Sequence, residues 1–294
     1  MSNNTIEKSF VIEFGKEVHT VFQDAGQKLA NCVRTVRNVK AKEYVFQIYG
    51  KGEAADKSRH SNVPYMNVDH NTVTCVLKSK YAAEPVDDID MLQQNYDEKR
   101  QLAKTCAMAL GRAADKMILE AAYATPYKID AKYDGTQAGS AADTGMTVEK
   151  AKGLRAHFSR NFIFDGGGKN YVFVTADAFN DLTTIDGFSK SNYIDEKDKP
   201  FKLAQLEGKR WMGFDWYTWD SLGGTSTLDY NIAFNENCIG HAIGLEPTTT
   251  IERLPKEDAW QVMSKMFMGA VLIDPVGVVI IETKKSTKAL TPST

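Results

Sequence analysis

The chain has 294 residues, with 43% apolar and 25% charged side chains. That balance is globular and excludes a collagen, a long coiled coil and a wholly disordered chain. Thirty-six Lys and Arg against 38 Asp and Glu leave a net charge of −2, which excludes the strongly basic composition of a dedicated nucleic-acid binder. The charge is uneven, at +4 over residues 1–80 and −6 over the rest, an asymmetry that helps copies of one chain attract each other. The opening Met1–Lys8 has no apolar stretch of the signal-peptide kind. The longest apolar run, Met266 to Ile273, is too short to span a bilayer. Cys32, Cys75, Cys106 and Cys238 are widely spaced without a CxxC pair, so buried thiols are expected rather than disulfides or a zinc ribbon.

Residues 1–40 are weakly periodic. Val18, Phe22, Leu29 and Val33 point to some helix in an arm. In 42–50, Tyr44, Phe46 and Ile48 share one strand face by period-2 alternation; in 71–78, Val73, Cys75 and Leu77 do the same. The intervening segment, 51–70, is long and polar, so the two strands read as a ribbon with a mobile tip. A two-stranded ribbon cannot bury its apolar face alone in water; it must lie on its own domain or on a neighbouring copy.

Helical spacing of Ile89, Leu92, Tyr96, Ala103, Cys106, Leu110, Met117 and Ala121 predicts a helix over 89–122, roughly 50 Å long. Asp87, Asp88 and Asp90 suit its start, and Pro126 follows its end. Residues 123–146 read as a connection. Thr147 is placed to cap a helix to about 162; a strand over 171–175, a helix from Asp177, a polar loop over 186–200, an aromatic strand over 210–219 and a strand over 231–234 follow. The alternation predicts an α/β-type unit over about 136–246. Pro255–Asp258 is a turn between strands 249–254 and 259–273, and a strand over 278–282 precedes a frayed tail, 284–294.

Chemistry is sparse. His19, His60, His70, His157 and His241 form no HExxH pairing and read as scattered polar or capping side chains. There is no GxSxG elbow and no GxGxxG. Asp165-Gly-Gly-Gly-Lys169 fails the P-loop spacing and reads as a turn. The aromatic run Trp211, Phe214, Trp216, Tyr217 and Trp219 could stack sugars or bases, but few cations interleave, so packing is the better reading. Neither catalytic, cofactor-binding nor metal-ligating residues are identified. Lys51, Lys57, Arg59 and His60 at the tip could meet an acidic patch on a neighbour, with Glu84, Asp87, Asp88 and Asp90 as the candidate.

Three stretches, in this order, carry a resemblance. The first is Tyr81-Ala-Ala-Glu-Pro-Val-Asp87, leading into Tyr96-Asp97-x-x-Arg100 and Leu110-Gly-Arg-Ala-Ala-Asp115. The second is Ala233-Phe234 with Gly240-His-Ala-Ile-Gly244, and the third is Gly269-Ala-Val-Leu-Ile-Asp274-Pro275 with Val278-Val279. Over about residues 35–283 the chain resembles the major capsid proteins of tailed bacteriophages, with the Hong Kong 97-type α+β shell fold, most of all those of short-tailed phages. The resemblance implies an N-terminal arm (1–40), an E-loop ribbon (41–82) and a P domain (83–135) with the spine helix. It further implies an α/β-like A domain (136–246), a P-domain hairpin with closing strand (247–283) and a tail (284–294).

It also implies a non-enzymatic subunit, without cofactor, that assembles with itself as pentamers and hexamers into an icosahedral shell around double-stranded DNA. The implied partners are a separate scaffolding protein, a portal protein at one vertex and packaged DNA held without specificity, with no membrane. The shell would assemble in the host cytoplasm and persist in the virion. Candidate inter-subunit contacts are Tyr44, Phe46, Ile48, Lys51, Lys57, Arg59, Val73, Leu77, Glu84, Asp87 and Asp88. Some family members cross-link Lys to Asn; Lys51 and Lys57 lie in the corresponding loop, but no partner Asn or catalytic acid is identifiable and no cross-link is expected. The alternatives are a nanocompartment shell enclosing enzyme cargo and a soluble enzyme with its pocket in 136–246.

Overall fold

The computed structural model describes residues 24, 26–66, 68–87, 97–136, 142–185, 188, 209–255 and 257–285. These fall into two compact units. The larger holds Gln27–Lys78, Ala114–Leu245 and the chain from Met268 onward; the smaller includes Ser79–Ala113 and Glu246–Phe267.

The larger unit is built on a six-stranded mixed sheet. Its strands are β5 (Lys128–Ile129), β6 (Asn170–Val174), β7 (Lys209–Trp211), β8 (Phe214–Thr218), β9 (Leu228–Asn235) and β12 (Val278–Lys284), in the order β5-β12-β9-β6-β8-β7. β6 runs parallel to β8 and antiparallel to β9, with Val172 opposite Ala233 and Trp216. Strand β12 lies antiparallel to β9 with Ile280 opposite Ile232, so a strand late in the chain fills an interior place in this sheet, between β5 and β9.

Both faces are covered, and period-2 alternation decides which residue goes where. Val172, Val174, Trp216, Ala233, Val279 and Ile281 point to one core with Ala151, Leu154 and Phe158 of helix α2 (Val148–Arg160) and Ala178 and Leu182 of helix α3 (Ala176–Thr183). Tyr171, Phe173, Ile232, Phe234 and Val278 point to the other, with Leu29 and Val33 and with Ile118, Leu119 and Ala122 of helix α1 (Glu98–Ala122). Helices cover this mixed sheet, whose strands β5 and β12 come from outside 136–246; Thr147 caps α2 as expected, accepting from Lys150 N–H, and Thr175 caps α3, accepting from Ala178 N–H.

Three polar pins tie the layers together. Asp115 accepts the N–H groups of Lys28 and Leu29. Lys150 Nζ donates to the carbonyls of Thr144, Gly145 and Glu282 at 2.9, 2.9 and 3.0 Å. Asn231 accepts from Thr175 N–H and donates to Thr283 Oγ1, and the Thr175 hydroxyl donates to Asp229.

Several expectations need correction. Helix α1 begins at Glu98, capped by Asp97, whose carboxylate accepts Arg100 N–H at 3.2 Å. It has 25 residues, roughly 37 Å at 1.5 Å per residue. Asp87 therefore does not cap it; Asp87 ends strand β4 (Lys78–Asp87). Asp88, Ile89, Asp90, Leu92 and Tyr96 lie outside the described residues. The buried stripe follows Cys106, Leu110, Ala114, Ile118 and Ala122, leaving Met117 and Ala121 half-buried at its flank. The 210–219 strand is a hairpin. Met212 and Gly213, with φ 54° and 91°, form a two-residue turn of the type that joins antiparallel strands. In the arm, Val18 and Phe22 lie outside the described residues, and residues 28–33 form turns rather than helix.

In the smaller unit, β4, β10 (Ile239–Leu254) and β11 (Ala259–Leu272) are neighbours in a sheet. Val86, Cys106, Leu110, Ala259, Val262 and Met266 are buried apolar residues of this unit, and Lys99 Nζ sits 3.5 Å from the Trp260 ring centroid. The hairpin around Pro255–Asp258 is present, but β10 starts ten residues earlier than the expected strand.

Candidate assembly surfaces

The ribbon consists of β2 (Glu43–Tyr49) and β3 (His70–Val76), antiparallel, with Phe46 opposite Val73 and Tyr44 opposite Cys75. One face carries Tyr44, Phe46, Ile48, Val73 and Cys75, as the alternation predicts. Its base is seated on the larger unit. Phe46 is only 2% exposed; its ring lies directly over Gly240, where a Cβ would stand 2.6 Å from it and the ring would have to shift. Gly269 is equally tight, its missing Cβ falling 2.4 Å from the Val76 carbonyl oxygen. The Arg34 guanidinium lies over the Phe46 ring at 5.7 Å. Phe46 and Leu77 thus anchor the ribbon within the chain instead of offering contact surface, which corrects their listing among inter-subunit residues.

The opposite face is uncovered. Val45, Gln47, Tyr49, Thr72, Thr74 and Val76 are exposed, with the Tyr49 and His70 rings edge to face at 4.7 Å. Beyond Gly50 N–H, which donates to the Asp69 carbonyl, the tip is exposed along almost its whole described length. Tyr65 is 97% exposed and Val63 and Met66 more than half. These apolar side chains stand in water close together along one segment of the tip. Lys51, Lys57 and Arg59 are exposed, and Lys51 Nζ lies 5.4 Å from the ring of Phe162. Their charge is matched in number by Glu53, Asp56 and Asp69, so the tip as a whole is neutral. Tyr44, Ile48 and Val73 are half-buried; Glu84 and Asp87 are exposed on β4.

A second kind of exposed feature escaped sequence reasoning. Phe162 follows α2 with φ 56°, a left-handed conformation unusual for a bulky residue, and is 61% exposed. Tyr81 on β4 and Ile251 on β10 are also exposed. Nothing in the periodicity distinguishes these from core residues.

Catalytic geometry is thin. Among the described residues no three His, Cys, Asp or Glu side chains are grouped to hold a metal. A depression of about 100 Å³ beside Gly168, Lys169, Asn170, Arg210, Gly213 and Asp215 is well below the few hundred Å³ of a small-molecule site. The Gly166–Gly168 turn is tied down, with the Asn235 and Asn237 amides donating to the Gly167 carbonyl. The aromatic run packs: Phe214 and Trp216 in one core, Trp219 in the other, with Tyr217 stacked on Phe173 at 5.4 Å. All four cysteines are free, and burial pushes the thiols of Cys32 and Cys238 up to about 11 and about 12. No helix among the described residues is long and apolar enough to cross a membrane. His157 is the polar, hydrogen-bonded histidine expected, 2.9 Å from the Val276 carbonyl. His241 is not: it is buried in β10.

Comparison with known proteins agrees with this picture. The family model described as phage capsid protein matches residues 6–285. No curated protein sequence matches. Among solved structures, the capsid of cyanophage P-SCSP1u superposes with a TM-score of 0.69 at 15% identity, covering 97% of this chain and 96% of that one. A Mycobacterium phage Che8 structure gives 0.67 at 16% identity, over 93% and 97%. The acid-stable capsid of Helicobacter pylori bacteriophage KHP30 gives 0.68 at 10% identity, over 97% and 99%. With the Hong Kong 97-type α+β fold and a match over nearly its whole length, the chain belongs to the phage capsid protein family and is a structural shell protein.

Proposed function

We propose that the chain closes into pentamers and hexamers of an icosahedral shell in which the ribbon of each subunit lies across an adjacent copy. The observation that carries this reading is the contrast along the ribbon: Phe46 and Leu77 fix its base, while Tyr49, Val63, Tyr65 and Met66 stand in water. An anchored arm with an apolar end supplies a modest contact, and many such contacts close a container by multivalency. The proposed contact set is the exposed Val45, Tyr49, Val63, Tyr65 and Met66 with Lys51, Lys57 and Arg59, the half-buried Tyr44, Ile48 and Val73 contributing only what the seat leaves uncovered, and Glu84, Asp87 and Asp88 as the acidic counterpart. The regions described above as arm, E-loop, P domain and A domain keep that division as part of this proposal.

The partners follow from the same reading. A separate scaffolding protein that guides closure is part of the same proposal. A portal fills one vertex, assembly takes place in the host cytoplasm, and a net charge of −2 fits weak, non-specific contact with packaged double-stranded DNA. No catalytic step is assigned to the subunit. The narrower kinship with short-tailed phages rests on the three sequence stretches alone.

Electron microscopy of the purified chain, expressed alone and with its scaffolding protein, tests the proposal. Uniform closed shells are expected with scaffolding, and irregular or open assemblies without. A monodisperse monomer under both conditions would overturn it, and shells filled with enzyme instead of nucleic acid would assign the chain to cellular compartments.

A further inference from the structure

The stretch Gly240-His-Ala-Ile-Gly244 of β10 is a junction. Strand β1 (Arg34–Val36) pairs in parallel with Gly240, His241 and Ala242. The ribbon base rests on the same residues, with the Phe46 ring against Gly240 and the Cys75 thiol against the backbone of Ala242. One three-residue segment therefore holds both the N-terminal part of the chain and the ribbon.

At its centre stands His241, 1% exposed, opposite Thr35. Neither ring nitrogen has a hydrogen-bond partner among the described residues. A neutral imidazole always carries one N–H, so this burial is unfavourable as it stands, and an added charge makes it worse. Among the described residues the charged group that acts on the ring is Arg37, just past β1, which also opposes a second positive charge. The adjoining part of β11, Met268–Leu272, has no charged side chain. Asp115 of α1 and Asp274 after β11 are engaged elsewhere, by Lys28 and Leu29 N–H and by Val276 N–H.

We propose that His241 makes this junction acid-sensitive, so that proton uptake releases β1 from β10 and loosens the seat of the ribbon before the subunit as a whole unfolds. β1 is the element to give way because it is an edge strand held by three residue pairs, continued only by the bond from Val39 N–H to the Ile243 carbonyl. Burial, and then Arg37, lower the imidazole to about 4 from the ordinary 6.5. The released form binds the proton more readily than the closed form across that interval. The closed junction is thus fully stable above pH 6.5 and loses stability as the pH falls to 4, by on the order of 100-fold in the opening equilibrium.

Amide hydrogen exchange on the unassembled full-length subunit tests this, independently of whether the chain builds a shell. After correction for intrinsic exchange, residues 34–39 should open roughly 100-fold more at pH 4 than at pH 7, while β9 stays protected. His241→Leu should abolish the response. Arg37→Gln should move it to higher pH, and it keeps the test sound if the leucine variant fails to fold. Equal protection of β1 at both pH values, an unchanged response in folded His241→Leu, or a His241 resonance titrating near 6.5 would each overturn the proposal.

Discussion

The carboxylate of Asp115 accepts the backbone N–H of Leu29 at 3.1 Å, and its second oxygen accepts that of Lys28 at the same distance. Asp115 is itself 1% exposed, and Leu29 is fully buried against Ile118 and Phe234. One side chain in α1 thereby fixes where the N-terminal segment enters the core. Asp115→Ala leaves two donors without their acceptor and should cost about 3 kcal/mol of unfolding free energy. Asp115→Asn keeps one acceptor oxygen and should cost roughly half as much. Urea denaturation of the unassembled subunit measures both.

Gly240 and Gly269 both sit under the ribbon but should respond differently to alanine. At Gly240 the obstacle is the edge of the Phe46 ring, a side chain that can turn aside. At Gly269 it is the Val76 carbonyl, part of the backbone. Gly240→Ala should therefore cost about 1 kcal/mol, and Gly269→Ala about 3 kcal/mol with faster exchange of the β3 amides. Equal effects would mean that the ribbon base shifts as a unit.

Lys150 is fully buried with its three ammonium protons directed to three carbonyls. Lys150→Met removes all three bonds and should destabilise the subunit by about 3 kcal/mol. Burial, opposed in part by Asp181, Asp143 and Glu282, lowers the amine to about 8 from 10.5. Between those values the unfolded chain binds the proton more readily than the folded one, so this group's contribution to stability rises with pH from 8 to 10.5. The difference between wild-type and Lys150→Met stability curves over that window should have a positive slope.

The parts legible in the sequence are those with unbroken alternation. Tyr44, Phe46 and Ile48 declared β2 because one face meets the core while the other stays wet. β4 was missed because only Val86 of its ten residues is buried, and Pro85 breaks the pattern. The first half of β10 was missed because Ile239 to Ile243 are buried in an unbroken run, with Gly240, His241 and Ala242 between the two isoleucines, so neither alternation nor local strand preference marks it. Trp211 to Phe214 read as continuous strand because the turn depends on two left-handed backbones and only one of them is glycine. The assembly surface was legible only as a need: a ribbon this long requires cover. Which residues lack cover, Tyr65 and Tyr49 above all, is a property of the folded chain, as is the non-local clasp of Asp115 on Leu29.

Tyr49 and Tyr65 are exposed in the isolated subunit, so Tyr49→Ser and Tyr65→Ser should leave its stability within about 0.5 kcal/mol. The same changes should lower the yield of closed shells severalfold, read by sedimentation of assembly reactions. A loss of subunit stability instead would place these rings in the fold.

Hydrogen exchange of the free subunit against the assembled particle is the most direct measurement. The account predicts that amides of 45–49, 63–66 and 70–74 become strongly protected on assembly, while those of β6 and β9, already buried, hardly change. Unchanged exchange along the ribbon and its tip in intact particles would contradict it.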